Sequence, residues 1–290
     1  MIGEHQERLK MDKNIKHSIV LTIHNKGWLL ERVLDGIVKN TKGEYELIIV
    51  LDGCTDDSSV VVEKYFEDSS NPPIVITTPD VFETKANNAG IKKASGDYII
   101  IVQDDMVIKE EGWNIRLQKP FDAYDDVFAV TADTAFNYRF NTNSQHIRLS
   151  EEEDKLIDNC WSDIFGFESH INREKGLPRN IFAVRNNVNR GPLMINHNEL
   201  KKLNYFDEIF SPQDQDDADL CYRAFKELNK VVGAYWIDYD CDIAWGGTRE
   251  DGQNPAAWLL KAHHKNTRIV FERHQDLIFQ EKHDEDRVLD

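Results

Sequence analysis

Apolar residues in the first half of the chain come in short unbroken runs, each stopped by a polar cluster and followed by helical spacing. His17 to Ile23 (HSIVLTI) is such a run; it ends at His24-Asn25, after which Trp28, Leu29, Val33, Ile37 and Val38 recur at helical intervals. Glu46 to Leu51 (ELIIVL) is a second, stopped by Asp52-Gly53, and Thr55-Asp56-Asp57-Ser58 supplies capping residues for a helix through Phe66. After Pro72-Pro73, Ile74 to Thr77 reads as a third strand, residues 83–94 as a helix, and Tyr98 to Val102 (YIIIV) as a fourth strand that stops at Gln103-Asp104-Asp105. Strands that are apolar throughout, rather than alternating, predict a parallel sheet covered by helices on both faces with right-handed crossovers. Ligands of such sheets bind beyond the carboxyl ends of the strands, where all three polar clusters fall.

The second half is less regular. Residues 131–180 hold a polar stretch (NTNSQHIRLSEEEDK) and then an aromatic one (WSDIFGF), too long for an ordinary connection and expected to form a lid or binding insertion. Gly191 to Asn196 and Val231 to Ile237 read as strands. Residues 215–229 read as a helix with an apolar face of Ala218, Cys221/Tyr222, Phe225 and Leu228, and a last helix is predicted from about Pro255 to Phe271. The final ten residues, rich in acid, are expected to be a solvated tail.

Composition narrows the function. The 290 residues suit one large domain or two small ones, and a hydrophobic content of 40% excludes wholesale disorder. Against 52 acidic residues stand 35 basic ones, a net charge of −17, which repels phosphate backbones and anionic lipid heads; nucleic acid is not expected as a primary partner. Cys54, Cys160, Cys221 and Cys241 are too far apart for a CxxC pair or a zinc ribbon, and are expected to be reduced thiols of a cytoplasmic protein. MIGEHQERLKMDKNIKH carries charges where a signal peptide needs apolar residues, and no run is long enough for a transmembrane segment.

Three clusters carry candidate chemistry. Adjacent Asp104 and Asp105 repel each other unless a hard divalent cation sits between them and a ligand, although an ordinary acidic turn accounts for them equally well. Asp214, Asp216, Asp217 and Asp219 open the 215–229 helix. One or two acids there would complement the helix dipole, and four favour a carboxylate kept as general base. Asp52-Gly53-Cys54-Thr55-Asp56 is either a turn with an N-cap or a carboxylate aimed at a nucleobase or ribose edge, and it lacks the aspartate-x-aspartate pattern of a haloacid-dehalogenase nucleophile. Neither GxGxxG nor GxxxxGK[ST] occurs, which argues against a dinucleotide oxidoreductase and a P-loop ATPase. For His263-His264 the ordinary reading is packing, with metal ligation the minority one; Trp245-Gly246-Gly247 is a packed turn or a binding platform.

Taken in order, SIVLTIHNKGWLLERVLDGI, ELIIVLDGCTDDS, NNAGIKKASGDYIIIVQDDM, YFDEIF and DQDDADLCYRAF resemble glycosyltransferase family 2, with the GT-A fold, over about residues 17–230. The resemblance implies an N-terminal extension (1–15), a nucleotide-sugar-binding half (16–130) and an acceptor-binding, catalytic half (131–272). It further implies an acceptor-facing insertion at about 135–180 and an acidic tail (273–290), all on one continuous domain. It assigns the donor nucleotide to Thr22, His24, Asn25, Asp52, Asn88 and Asp104, the metal to Asp105 with His264, and catalysis to Asp217 as base with Asp216 orienting the acceptor. Arg190, Gly191 and Trp245 would meet the acceptor. Three departures stand out: Leu51 where many members have an aspartate, Gln103 at the first position of the metal motif, and Trp245 where many have a metal-binding histidine.

The expected activity is therefore an inverting glycosyltransferase that uses Mn2+ or Mg2+ to move a sugar from a nucleotide-diphospho-sugar, a UDP-sugar favoured, to a hydroxyl acceptor in glycan or polysaccharide synthesis. A nucleotidyltransferase of related fold is the alternative enzyme, although TIHNKGW lacks the basic glycine-rich loop it needs. A non-catalytic sugar-nucleotide or glycan-binding module is the alternative outside enzymes.

Overall fold

The computed structural model describes residues 16–140, 165–171, 176–242, 257–280 and 282–289. The first half alternates strand and helix as its periodicity predicts: β1 (His17–Ile23), α1 (Gly27–Asn40), β2 (Tyr45–Asp52), α2 (Ser58–Tyr65), β3 (Ile74–Thr78), α3 (Phe82–Ile91) and β4 (Tyr98–Gln103). There follow β5 (Val107–Ile108), α4 (Trp113–Ala123), β6 (Val127–Thr131), β7 (Ala135–Phe140), β8 (Phe165–Ile171), β9 (Ile181–Arg185), β10 (Asn187–Val188), β11 (Leu193–Asn196), α5 (His197–Lys202), α6 (Asp216–Leu228), β12 (Val231–Ala234), β13 (Tyr239–Asp240), α7 (Ala257–Gln280) and β14 (Glu285–Val288).

Nine strands form one sheet in the order β14-β9-β12-β6-β11-β4-β1-β2-β3. Strands β3, β2, β1 and β4 are parallel; β11 then enters antiparallel between β4 and β6, which makes the second half mixed. From β1 the chain runs outward to β2 and β3, then crosses back to place β4 on the other side of β1. That reversal opens a crevice between the carboxyl ends of β1 and β4.

The alternation of side chains along β1 decides what faces that crevice. Ile19, Leu21 and Ile23 pack on one side with Leu29, Leu30, Val33, Leu34 and Ile37 of α1. Val20 packs on the other with Ala86 and Ile91 of α3, so Thr22, two residues on, also lies on the α3 side. Gly90 lets α3 come this close, because a Cβ there would sit 2.5 Å from Val20 Cγ1 and 2.9 Å from Val50 Cγ2.

The last part of the chain departs from the pattern-based expectation. Helix α7 runs to Gln280, β12 stops at Ala234, and the stretch expected to be a solvated acidic tail supplies β14, which pairs antiparallel with β9. Its backbone completes the sheet edge while Arg287 grips Asp126 at 2.6 and 2.8 Å; a count of charges does not register backbone pairing. A smaller sheet, β10-β7-β8, carries Phe136, Tyr138 and Phe165 against Phe210, Tyr222 and Val270. The expected insertion is described only at these margins, since residues 141–164 and 172–175, Cys160 among them, lie outside the described set. Among the described residues no helix is long and apolar enough to cross a membrane.

At the opposite end of β1, His17 is 1% exposed, 2.9 Å from Gln118 Oε1 through Nε2 and 3.1 Å from Asn114 Nδ2 through Nδ1. Burial pushes its imidazole down to about 4, against the pull of the Gln118 hydrogen bond. Because the folded pKa lies below the unfolded one, this site contributes full stability above pH 6.5 and loses it as pH falls towards 4, by about 3 kcal/mol. Denaturant unfolding of the wild type and of His17→Gln should show the loss between pH 7 and pH 4.5 shrinking in the variant; equal losses would remove His17 as a source.

Candidate active site

The turn after β1 is laced to its neighbours. His24 donates its N–H to Asp104 Oδ2 (2.8 Å) and its Nδ1–H to the Asp52 carbonyl (2.6 Å), which ties the ends of β1, β2 and β4 together. Asn25, at φ 52°, accepts the N–H groups of Thr55 (2.7 Å) and Asp56 (3.2 Å) and so fixes the turn after β2. Asp52 is buried, and its carboxylate accepts from the Thr78 hydroxyl (2.8 Å), the Val81 N–H (2.7 Å) and the Phe82 N–H (2.8 Å). It holds the start of α3, a structural task that the strand-turn pattern does not reveal.

On α3 the two asparagines face different ways. Asn88, expected at the donor nucleotide, is turned from the crevice and bonds both backbone groups of Phe206, donating at 2.9 Å and accepting at 3.2 Å. Asn87 lines the crevice with Thr22, His24, Asp52, Glu83, Gln103 and Asp104. Its Oδ1 accepts the Thr22 hydroxyl at 2.8 Å, while its Nδ2 is buried with no protein partner. The correction is one residue along a helix, or 100° of rotation, and follows from which side of α3 meets β1.

Asp104 is 3% exposed, and burial, with the charge of Asp105 adding, lifts its carboxyl to about 7 against the His24 N–H and Lys26. Burial also raises Asp105, whose Oδ1 is buried and unpartnered. Two adjacent carboxylates raised by burial, one with an oxygen that has no partner among the described residues, fit a divalent cation. The resemblance also implied His264, but the structure does not gather it with Asp105 into a set of three ligands. Among the described residues the one such set is His24, Asp52 and Asp80, with ligand atoms within 4.8 Å of one another. There the carboxylate of Asp52 and the Nδ1 of His24 already make protein hydrogen bonds, whereas Asp105 Oδ1 makes none among the described residues.

The four acids around the start of α6 separate by partner. Asp214 pairs with His263, Asp216 with Arg190 (2.6 Å), and Asp219 with Arg223 (2.7 Å) and His274 (2.8 Å). Asp217 has no cation in salt-bridge contact among the described residues; its Oδ1 accepts only the Ala218 N–H at 2.8 Å. Burial lifts its carboxyl above the usual carboxylate range, opposed by Arg190 and reinforced by Asp216 and Asp214.

Two acceptor assignments change. Asp216 is 0% exposed and Arg190 8%, and the guanidinium lies between Glu83 (3.0 Å) and Asp216, so both are internal rather than facing an acceptor. Their partners lie too far along the chain for spacing to show them. Gly191 has φ 119°, and a Cβ there would stand 2.2 Å from Met106 Cε; it is required by backbone shape and close packing. Trp245 lies outside the described residues.

The sequence profile of Glycosyl transferase family 2 matches residues 18–187. Glycosyltransferase GlyG of Streptococcus pneumoniae serotype 4 is 32% identical over 93 residues, 32% of this chain and 31% of its own length. Glycosyltransferase GlyA of the same organism is 27% identical over 144 residues, 50% of this chain and 20% of its own length. The chain thus spans less than a third of the length of these relatives. Among solved structures, GalNAc-T7 with UDP, GalNAc and Mn2+ superposes with a TM-score of 0.61 at 13% identity, covering 92% of this chain and 50% of that one. Glucosyl-3-phosphoglycerate synthase from Mycobacterium tuberculosis, in complex with Mn2+, UDP and phosphoglyceric acid, does so at 0.51 and 14%, covering 89% and 78%. At these identities the likeness is one of fold.

The two asparagines can be told apart by stability. Asn88→Ala leaves the Phe206 N–H and C=O without partners and should cost roughly 1–3 kcal/mol for each unpaired group, whereas Asn87→Ala loses one bond, to the part-buried Thr22 hydroxyl, together with an unsatisfied donor, and should cost less. Denaturant unfolding of both variants checks this, and equal losses would contradict the orientation of α3.

Proposed function

This chain belongs to glycosyltransferase family 2 and has the GT-A fold, and from that premise we propose an inverting transferase that moves a sugar from a UDP-sugar to a hydroxyl acceptor in glycan or polysaccharide synthesis, with Mn2+ or Mg2+. The observation that carries the reading is Asp217, the one acid of the α6 cluster without a basic partner among the described residues, its carboxyl lifted by burial above the usual range. Support for uridine as the donor base comes from the two solved relatives with UDP bound.

The crevice between β1 and β4 would take the nucleotide. Thr22, His24 and Asn25 shape its wall, Asp52 holds α3 against it, and the buried Asn87 Nδ2 offers a donor to a carbonyl or ribose oxygen. A divalent cation held by Asp105, with Asp104 beside it, would offset negative charge on the departing diphosphate. Asp217 then takes the proton of the acceptor hydroxyl as that oxygen bonds to the anomeric carbon, and the bond from that carbon to the diphosphate oxygen breaks with its electron pair. One displacement inverts the configuration at that carbon, and no covalent intermediate on the protein is needed. Arg190, buried between two carboxylates, stays out of contact with the sugar.

Nucleotide-sugar turnover should require Mn2+ or Mg2+ and vanish with chelator. Asp217→Asn should lower kcat by about 100- to 10,000-fold with the donor KM nearly unchanged, and Asp105→Asn should weaken the response to the cation. Steady-state kinetics with UDP-glucose and UDP-N-acetylglucosamine, and the anomeric configuration of the product by NMR, provide the check. A product with retained configuration would remove Asp217 from its role.

A further inference from the structure

A chain of buried polar side chains runs from the end of β4 to the start of α6. Gln103 donates Nε2–H to Glu83 Oε1 at 3.0 Å; the same oxygen meets Arg190 Nε at 3.0 Å; Arg190 Nη1 meets Asp216 Oδ2 at 2.6 Å; and Asp216 Oδ1 accepts the N–H of Asp217 at 3.1 Å. Glu83 and Arg190 expose 15% and 6% of their side chains and Asp216 none; the Arg190–Asp216 contact is fully buried and the contacts at either end of the chain are partly so. The Phe206 ring lies 5.5 Å from the guanidinium and closes one side.

We propose that Arg190 is a positioning residue for Asp217, held in place by Glu83 and Gln103, so that the strand end carrying Asp104-Asp105 is mechanically and electrostatically linked to the base. This rests on the reading of Asp217 as the base. A guanidinium has a rigid fork, and here one arm is committed to Glu83 and the other to Asp216. Asp216 in turn uses one oxygen for Arg190 and the other for the amide of its neighbour, which sets the first turn of α6. Breaking a buried pair of this kind leaves an uncompensated charge, so the arrangement is held firmly.

The link also explains a departure at the metal motif. A carboxylate at position 103 would face Glu83 across the distance at which Gln103 now donates a hydrogen bond. The neutral amide belongs to the Arg190 assembly and leaves cation binding to Asp104 and Asp105.

The groups facing Asp217 are Arg190 from the loop before β11, Asp214 with its partner His263 on α7, Asp216 and Cys221 on α6, and Tyr138 on β7; Glu83 of α3 stands behind Arg190 and acts through it. Arg190 lowers the base and the acids raise it. Removing the charge of Arg190 therefore moves Asp217 upward. Removing that of Glu83 leaves Arg190 with one carboxylate fewer to answer and moves Asp217 downward. Opposite displacements are a signature that a purely packing role does not produce.

The experiment measures kcat and KM across pH for the full chain, together with the 13C-carboxyl titration of Asp217, in Arg190→Gln, Arg190→Lys and Glu83→Gln. Expected are an acid limb displaced to higher pH in Arg190→Gln and to lower pH in Glu83→Gln. Arg190→Lys keeps the charge but not the fork, so it should lose about 100-fold in kcat with its acid limb near that of the wild type and the donor KM little changed. Displacement in the same direction in the two charge-removing variants, or none in either, overturns the proposal. Should Arg190→Gln fail to fold, the direction in Glu83→Gln decides. Were the wild type to transfer no sugar, the functional reading would fail while the titration of Asp217 still tested the link.

Discussion

At the carboxyl ends of the parallel strands, buried carboxylates outnumber the cations that reach them, and the site is arranged by how those few cations are shared. Arg190 serves Glu83 and Asp216, Arg223 and His274 serve Asp219, and His263 serves Asp214. Asp104, Asp105 and Asp217 are left outside these pairs, and all three are raised by burial. A net charge of −17 is thus not spread evenly. Inside the fold much of it is answered by paired basic side chains, and Asp104, Asp105 and Asp217 stand outside those pairs.

Sheet topology makes that concentration possible. Because β2 and β3 lie on one side of β1 and β4 on the other, three turns rich in polar residues meet at the ends of neighbouring strands of one sheet. Their mutual hydrogen bonds, His24 to Asp104, His24 to Asp52 and Asn25 to the turn after β2, make the crevice a fixed wall. On the other side, α6 is docked by Asp219 and by the aromatic packing of Tyr222 with Phe136, Tyr138 and Phe210.

Much of this was legible in the chain. The four parallel strands, their intervening helices and the three polar clusters at the strand ends follow from runs of apolar residues and their stops, and the structure reproduces them almost to the residue. Asp105 and Asp217, singled out by their place in the chain, differ from their neighbours in the fold: an oxygen of the first has no hydrogen-bond partner among the described residues, and the second has no cation in salt-bridge contact among them. Asn88 was misplaced because adjacent residues of a helix differ by a rotation that only the packed face of α3 reveals. Asn87, its neighbour, carries no signal in sequence beyond being polar in a buried helix. Arg190 was expected at the acceptor on the resemblance; its two carboxylate partners, Glu83 and Asp216, lie too far along the chain for the sequence to reveal. The acidic end of the chain looked solvated because its charges conceal a backbone that pairs with β9.

The division has one physical origin. Strands, helices and turns depend on neighbours a few positions apart, so periodicity and punctuation in the sequence determined the parallel half, the strand-end location of its carboxylates and the family resemblance they carry. Which carboxylate finds a basic partner depends on residues 26 positions away for Asp216 and Arg190, 49 for Asp214 and His263, and 55 for Asp219 and His274. Only the tertiary structure decided those pairings, because burial and distance, the two quantities that set an acid's proton affinity, exist only once the chain has folded.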